Sequence, residues 1–134
     1  MVFYISLVMI VFCMVMSLRT LFIPHRIKGK KISFENFMYL TSIYVTVMIG
    51  FGLIYILLEM RGFEVFIEDT AGMDGSFVNR LETGFYFSAV TLFSVGYGDI
   101  APIGIGRMIA VVEALIGYTI PAAFVFMAVF EMEK

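Results

Sequence analysis

Three long apolar stretches dominate the chain, and two polar connections of opposite charge separate them. The apolar stretches cover residues 1–18, 37–58 and 108–130. A helix needs about 20 residues to cross the hydrocarbon core of a membrane, so each stretch predicts a transmembrane helix. Hydrophobic residues make up 61% of the 134 residues, which excludes a soluble domain and indicates a multi-pass membrane protein.

A fourth apolar segment, residues 80–93, is too short to cross a membrane. Asn79 is its candidate N-cap, with Glu82 three residues further on. About 13 helical residues rise only about 20 Å, so this helix enters the membrane and the chain must leave by a non-helical path. Such a path is tolerated only where the backbone is buried in protein or lines a water-filled cavity. Residues 94–99, which we call the return loop, provide it.

The return loop reads Ser94-Val95-Gly96-Tyr97-Gly98-Asp99, with glycines at alternate positions. A row of carbonyls aimed at one axis requires peptides of alternating handedness, and positive φ is inexpensive only for glycine. We therefore expect Val95 and Tyr97 to point away and pack against the preceding helix. The C-terminal end of that helix carries about half a negative charge, which favours a cation. A Gly-Tyr-Gly turn alone is common, but after a half-length helix in a membrane it predicts an ion pore.

The charges of the two connections orient the chain. Residues 19–31 carry five Lys or Arg and no acid, so the positive-inside rule makes this connection cytoplasmic. Residues 59–82 carry six acids against Arg61 and Arg80, and their glycine-rich middle reads as a loop that faces outward. We therefore expect the N-terminus outside the plasma membrane and the C-terminus in the cytoplasm.

The remaining polar residues argue against other kinds of chemistry. Cys13 has no second cysteine to pair with, and His25 stands without other ligands in the basic connection. The sequence has no cluster of His, Cys and carboxylates of the kind that is typical of an enzyme active site. We also expect no cofactor and no nucleic-acid partner. The first span lacks the basic start and cleavage site of a signal peptide, so we expect it to be retained. Arg19, its one cation, lies at its end, which argues against a voltage sensor.

Residues 37–130 resemble the pore unit of the potassium channel family. The return loop nearly reproduces the filter sequence TVGYG; the match is specific at residues 88–102 and at Gly106-Arg107, and architectural elsewhere. The resemblance implies an all-α membrane protein with a tetrameric pore, preceded by one extra transmembrane helix. The implied parts are an N-terminal helix (1–23), a basic cytoplasmic loop (24–36) and a pore domain (37–134) with outer helix 37–58, extracellular turret 59–79, pore helix 80–93, filter 94–99 and inner helix 105–130.

The resemblance also implies passive, K⁺-selective conduction by a homotetramer in a lipid bilayer. Family members contribute one filter strand from each subunit. The chain agrees independently, because it has a single return loop and one strand cannot encircle an ion. The implied ion-binding groups are the Ser94 hydroxyl and the carbonyls of Ser94, Val95, Gly96 and Tyr97, with Gly98 completing the filter and Asp99 at the outer mouth.

Three positions depart from the usual family pattern. Ser94 stands where Thr is usual, which keeps the hydroxyl and loses a methyl group. Phe87 replaces a Trp that in many members donates a hydrogen bond to the filter tyrosine, and Val90 replaces a Glu that some members pair with the filter Asp. Tyr86, beside Phe87, has a hydroxyl that can reach Asp99. The expected filter-support residues are Tyr86, Phe87, Val90 and Thr91.

Two features of the last span concern the pore. Glu113 is its one deep acid; it either forms a pore-facing ring or, as we favour, bonds structurally to pore-helix groups such as Thr91. Pro121 has no N–H and crowds the carbonyl of Gly117, so the helix should bend there. Gly117 matches a hinge glycine of the family, and we expect the gate at these two residues; the alternative is a fixed kink with close helix packing.

Other functions remain open at this point. A poorly selective cation pore is one, although such pores usually alter the Gly-Tyr-Gly core. A K⁺ transporter subunit would need four unequal repeats, and the sequence holds one loop. A non-conducting adaptor subunit of a longer channel is the third. Because few residues follow the last span, we expect no ligand-sensing domain after it.

Overall fold

The computed structural model describes residues 1–22, 34–68 and 76–132. Most of the basic connection, including His25, the glycine-rich middle of the second connection and the last two residues lie outside these ranges. The described elements are four helices and two short strands: α1 (Val2–Phe22), α2 (Phe34–Met60), β1 (Phe66–Glu68), α3 (Phe77–Leu92), β2 (Ile100–Pro102) and α4 (Ile105–Met132).

Three of the helices are long and apolar enough to span a membrane. The candidate spans are Val2–Thr20 in α1, Phe37–Met60 in α2 and Ile105–Phe126 in α4. This confirms the three spans and the all-α membrane fold expected from the sequence. The helices extend past the apolar runs that predict them, because polar residues at helix ends can leave the hydrocarbon layer while the backbone stays helical.

The short helix α3 begins earlier than the sequence suggests. Its N-cap is Ser76, whose side chain accepts a hydrogen bond from the Asn79 backbone N–H at 3.4 Å. The expectation that Asn79 is the N-cap is therefore wrong by three residues, because a serine hydroxyl one turn upstream already satisfies an amide of the first turn. At 16 residues, α3 is still only about 24 Å long and cannot cross the membrane.

Helix α2 lies at the centre of the packing. It contacts α3 on one side and α1 on the other, and α3 also packs against α4. Met14 of α1 is buried against Gly50, and the Arg61 guanidinium lies 4.2 Å from the centre of the Phe3 ring. The buried apolar residues between α2, α3 and α4 form one cluster, which includes Ile43, Val47, Phe51, Tyr55, Phe87, Leu92 and Ile120.

A two-stranded antiparallel sheet joins the segment after α2 to the segment after the return loop. Strands β1 and β2 pair with Phe66 opposite Pro102 and Glu68 opposite Ile100. The Ile103 N–H donates to the Val65 carbonyl at 2.9 Å and continues the connection toward α4. The sequence did not predict these strands, because three residues are too few to show an alternating pattern.

Candidate functional site

The last carbonyls of α3 hold the start of the return loop. The Ser94 N–H donates to the Thr91 carbonyl at 3.0 Å, and the Val95 N–H donates to the Val90 carbonyl at 2.9 Å. The Gly96 N–H also approaches the Val90 carbonyl, at 3.4 Å. Val90 and Thr91 thus contact the return loop through their backbone oxygens, which residue identity alone could not indicate.

The backbone of the return loop alternates in handedness. Gly96 has φ of 60° and Gly98 has φ of 81°. Val95 and Tyr97, which directly precede them, are at negative φ. Ser94 extends this alternation with φ of 56°. The sequence predicts positive φ only at the glycines, because a Cβ makes the left-handed region unfavourable by about 1–2 kcal/mol. Alternating handedness is the backbone pattern that can turn successive carbonyls toward one side of a loop.

Val95 and Tyr97 do not pack against their own helix. Their side chains are 51% and 72% exposed, so the expectation that they support the loop from within the chain is wrong. The groups that would cover them are not supplied by the residues described in this chain.

The outer end of the return loop is tied to the middle of α3. The Tyr86 hydroxyl donates to a carboxylate oxygen of Asp99 at 2.7 Å, as the sequence suggested. This hydrogen bond raises the pKa of the Tyr86 phenol above its ordinary value, so the phenol keeps the proton that it donates. The bond crosses the return loop from its supporting helix to its last residue.

Phe87 of α3 packs against aromatic rings of α2 and β1. It is buried, its ring meets the Tyr55 ring edge-on with centroids 5.3 Å apart, and the Phe66 ring centroid is 4.7 Å away. This aromatic cluster joins α2, α3 and β1. Within the chain Phe87 therefore supports the packing of α3, which differs from the direct support of the filter expected from the sequence.

Glu113 is fully buried between three helices. The Tyr55 hydroxyl donates to one of its carboxyl oxygens at 2.7 Å, and Ser88 contacts the other. Of the two interpretations open at the sequence level, this geometry supports the structural one, since a buried carboxyl cannot line a pore. The expected partner Thr91 is wrong: Ser88, nearly one turn earlier on α3, is the pore-helix group that Glu113 meets.

The Ser88 hydroxyl lies between two oxygens. It has one proton, which it can donate either to the Met48 carbonyl at 2.9 Å or to the Glu113 carboxyl. A protonated Glu113 would add a donor to this cluster and would avoid the cost of a charge inside a membrane.

The turn of α4 that contains Gly117 and Pro121 is packed tightly against α3. Helix α4 continues through Pro121, and the Gly117 carbonyl that Pro121 leaves without an N–H partner accepts from the Tyr44 hydroxyl at 2.8 Å. Gly117 lies directly on the Leu92 carbonyl, so a Cβ at this position would overlap that oxygen. The sequence did not indicate Tyr44, because it lies 73 residues from Gly117 in the chain.

The described residues offer no separate metal centre. No group of three or more His, Cys, Asp or Glu in residues 1–22, 34–68 and 76–132 is arranged to hold a metal ion.

Comparison with known proteins places this geometry in context. Residues 43–133 match the family model described as "Ion channel". The chain is 40% identical over 104 residues to Protein LctB of Geobacillus stearothermophilus, covering 78% of each chain. It is also 40% identical over 103 residues to Protein LctB of Bacillus caldotenax, covering 77% of each. No solved structure matches it significantly.

Proposed function

This chain belongs to the ion channel family matched by residues 43–133, and on that premise we propose that it conducts K⁺ passively and selectively through a homotetrameric pore. The observation that carries the proposal is the alternating backbone of the return loop, with positive φ at Ser94, Gly96 and Gly98. Rings of backbone carbonyls can replace the hydration shell of K⁺. The proposed ligands are the Ser94 hydroxyl and the carbonyls of Ser94, Val95, Gly96 and Tyr97, with Asp99 at the outer mouth.

Two observations favour assembly into a tetramer. A single return loop offers oxygen ligands from one side only, and a K⁺ ion must be surrounded to lose its water. Val95 and Tyr97 are also exposed beside the loop, as is Tyr118 on α4 at 75%. Neighbouring copies of the chain would cover these side chains and bring four return loops around one axis.

We further propose that the pore lies in the plasma membrane with the Asp99 end outside. The acidic second connection leads into α3 and favours the outer side, while the five basic residues between 19 and 31 favour the cytoplasm. K⁺ would enter or leave along the axis of the four return loops. The bend of α4 at Gly117 and Pro121 is the proposed position of the gate.

Purified protein in liposomes tests the proposal directly. We expect flux driven by a K⁺ gradient and much less flux driven by an equal Na⁺ gradient. Equal flux of both ions would indicate a non-selective pore, and no flux from assembled tetramers would indicate a non-conducting subunit. Chemical cross-linking of the same sample should give four bands, up to the tetramer.

A pair of glycine substitutions isolates the return loop. Gly96 and Gly62 both have positive φ, 60° and 84°, and both have open space where a Cβ would lie. Gly96→Ala and Gly62→Ala therefore introduce the same backbone strain, but only the first does so in the proposed filter. We expect Gly96→Ala to abolish selective K⁺ flux and Gly62→Ala to preserve it. Selective flux in Gly96→Ala would contradict the assignment.

A further inference from the structure

Tyr44 of α2 contacts both ends of the proposed pore machinery. Its hydroxyl lies 2.8 Å from the Gly117 carbonyl oxygen, one turn before Pro121 in α4. Its ring stacks on the Phe93 ring, with centroids 5.3 Å apart and an interplanar angle of 15°. Phe93 caps α3 and directly precedes Ser94, the first residue of the return loop. One half-buried side chain thus links the Gly117–Pro121 turn of α4 to the start of the return loop.

The hydrogen bond to Gly117 exists because of Pro121. In a regular α-helix the carbonyl of residue 117 accepts from the N–H of residue 121, and proline has no N–H. A carbonyl left without a donor inside a membrane protein is costly. The Tyr44 hydroxyl supplies the missing donor from the neighbouring helix. Pro121 therefore leaves the Gly117 carbonyl without a donor in α4, and Tyr44 of α2 provides one.

We propose that Tyr44 is a positioning residue that couples the bend of α4 to the entrance of the return loop; this rests on the proposed function. Bending or straightening α4 at Gly117 either breaks the Tyr44 hydrogen bond or moves the tyrosine ring. Movement of that ring displaces Phe93, and with it the residue before Ser94. The contact between Gly117 and the Leu92 carbonyl makes the same turn of α4 move with the end of α3.

A double-mutant cycle on Tyr44 and Pro121 tests the hydrogen bond. Tyr44→Phe removes the hydroxyl and keeps the ring, while Pro121→Ala restores an N–H that can reach the Gly117 carbonyl within α4. We expect Tyr44→Phe to change the ratio of open to closed time by about twofold to tenfold per hydrogen bond lost. In the Pro121→Ala background the same substitution should have little effect. Equal effects in the two backgrounds would overturn the proposal.

Selectivity separates a positioning role from a general loss of stability. Tyr44→Phe should alter open probability while K⁺ over Na⁺ selectivity and tetramer assembly stay as in the wild type. Phe93→Leu removes the stacked ring from the other side and should disturb the return loop without touching the Gly117 hydrogen bond. Tyr4→Phe is the matched control, because it removes an exposed hydroxyl from α1; we expect it to leave open probability unchanged.

Thermal unfolding in detergent measures the same cycle without ion flux. Tyr44→Phe should lower the melting temperature more in the wild type than in Pro121→Ala. If the wild type carries no K⁺ flux, the proposed function fails. The melting temperatures of the double-mutant cycle still decide whether the Tyr44 hydroxyl donates to the Gly117 carbonyl. Additive melting shifts would contradict the hydrogen bond. Coupled melting shifts with unchanged open probability in Tyr44→Phe would contradict the positioning role.

Discussion

The Tyr86 hydroxyl donates a 2.7 Å hydrogen bond to Asp99 across the return loop. Tyr86 lies in the middle of α3 and Asp99 is the last residue of the loop, so the bond closes a ring of chain that contains every proposed ion ligand. Because both ends of the loop are then attached to α3, by this bond and by the carbonyls of Val90 and Thr91, the oxygens between them are held in place.

Removal of the Tyr86 hydroxyl should loosen the outer end of the return loop. In Tyr86→Phe, Asp99 loses its donor while the aromatic ring stays. We expect shorter openings in single-channel recordings and unchanged tetramer assembly. Tyr4→Phe, which changes an exposed tyrosine on α1, is the control. Openings of unchanged length in Tyr86→Phe would show that Asp99 is held by other means.

The contacts of Glu113 with Tyr55 and Ser88 predict which substitutions it tolerates. In Glu113→Gln the amide N–H can donate to Ser88 and the amide oxygen can accept from Tyr55, so we expect wild-type assembly and conductance. Glu113→Ala leaves both hydroxyls without this partner and should cost about 1–3 kcal/mol for each unsatisfied group, measured as a lower melting temperature. A large loss of conductance in assembled Glu113→Gln would instead support a charged, pore-facing acid.

Substitution of Gly117 should be harmful for a steric reason. From the sequence, Gly117→Ala would add about 1 kcal/mol of helix propensity and stiffen the hinge. In the structure its Cβ would overlap the Leu92 carbonyl, a backbone atom that cannot turn aside. We therefore expect loss of stability and of K⁺ flux. Gly50→Ala is the control: its Cβ meets the flexible Met14 side chain, and it should be tolerated better.

The strained backbone at Ser94 predicts an unusual order of stability. Ser94→Gly and Ser94→Ala both remove the hydroxyl, and Ser94→Ala keeps a Cβ at φ of 56°. We expect Ser94→Gly to be the more stable of the two by about 1–2 kcal/mol, the reverse of the order in a helix. Melting curves of the two purified tetramers measure the difference. Greater stability of Ser94→Ala would show that the positive φ is not retained in the assembled protein.

The sequence predicts those features that depend on neighbouring residues. Apolar runs locate α1, α2 and α4, and the spacing of Gly96 and Gly98 predicts the alternating backbone. Features that join distant segments cannot be predicted in this way. They are the strand pair, the burial of Phe87 against Tyr55, and the contact of Ser88 with Glu113. These depend on how α3 is rotated against α2 and α4, which is set by packing and not by local pattern.

The pairing of β1 with β2 has a consequence for the depth of the proposed pore mouth. The pair lies on either side of α3 and the whole return loop in the sequence, because β1 ends at Glu68 and β2 begins at Ile100. A β-strand rises about 3.3 Å per residue. A slip of the pairing by one residue would therefore shift the outer end of the return loop by about that distance relative to α2. The register of these three pairs thus contributes to the depth at which the proposed ion ligands lie in the bilayer.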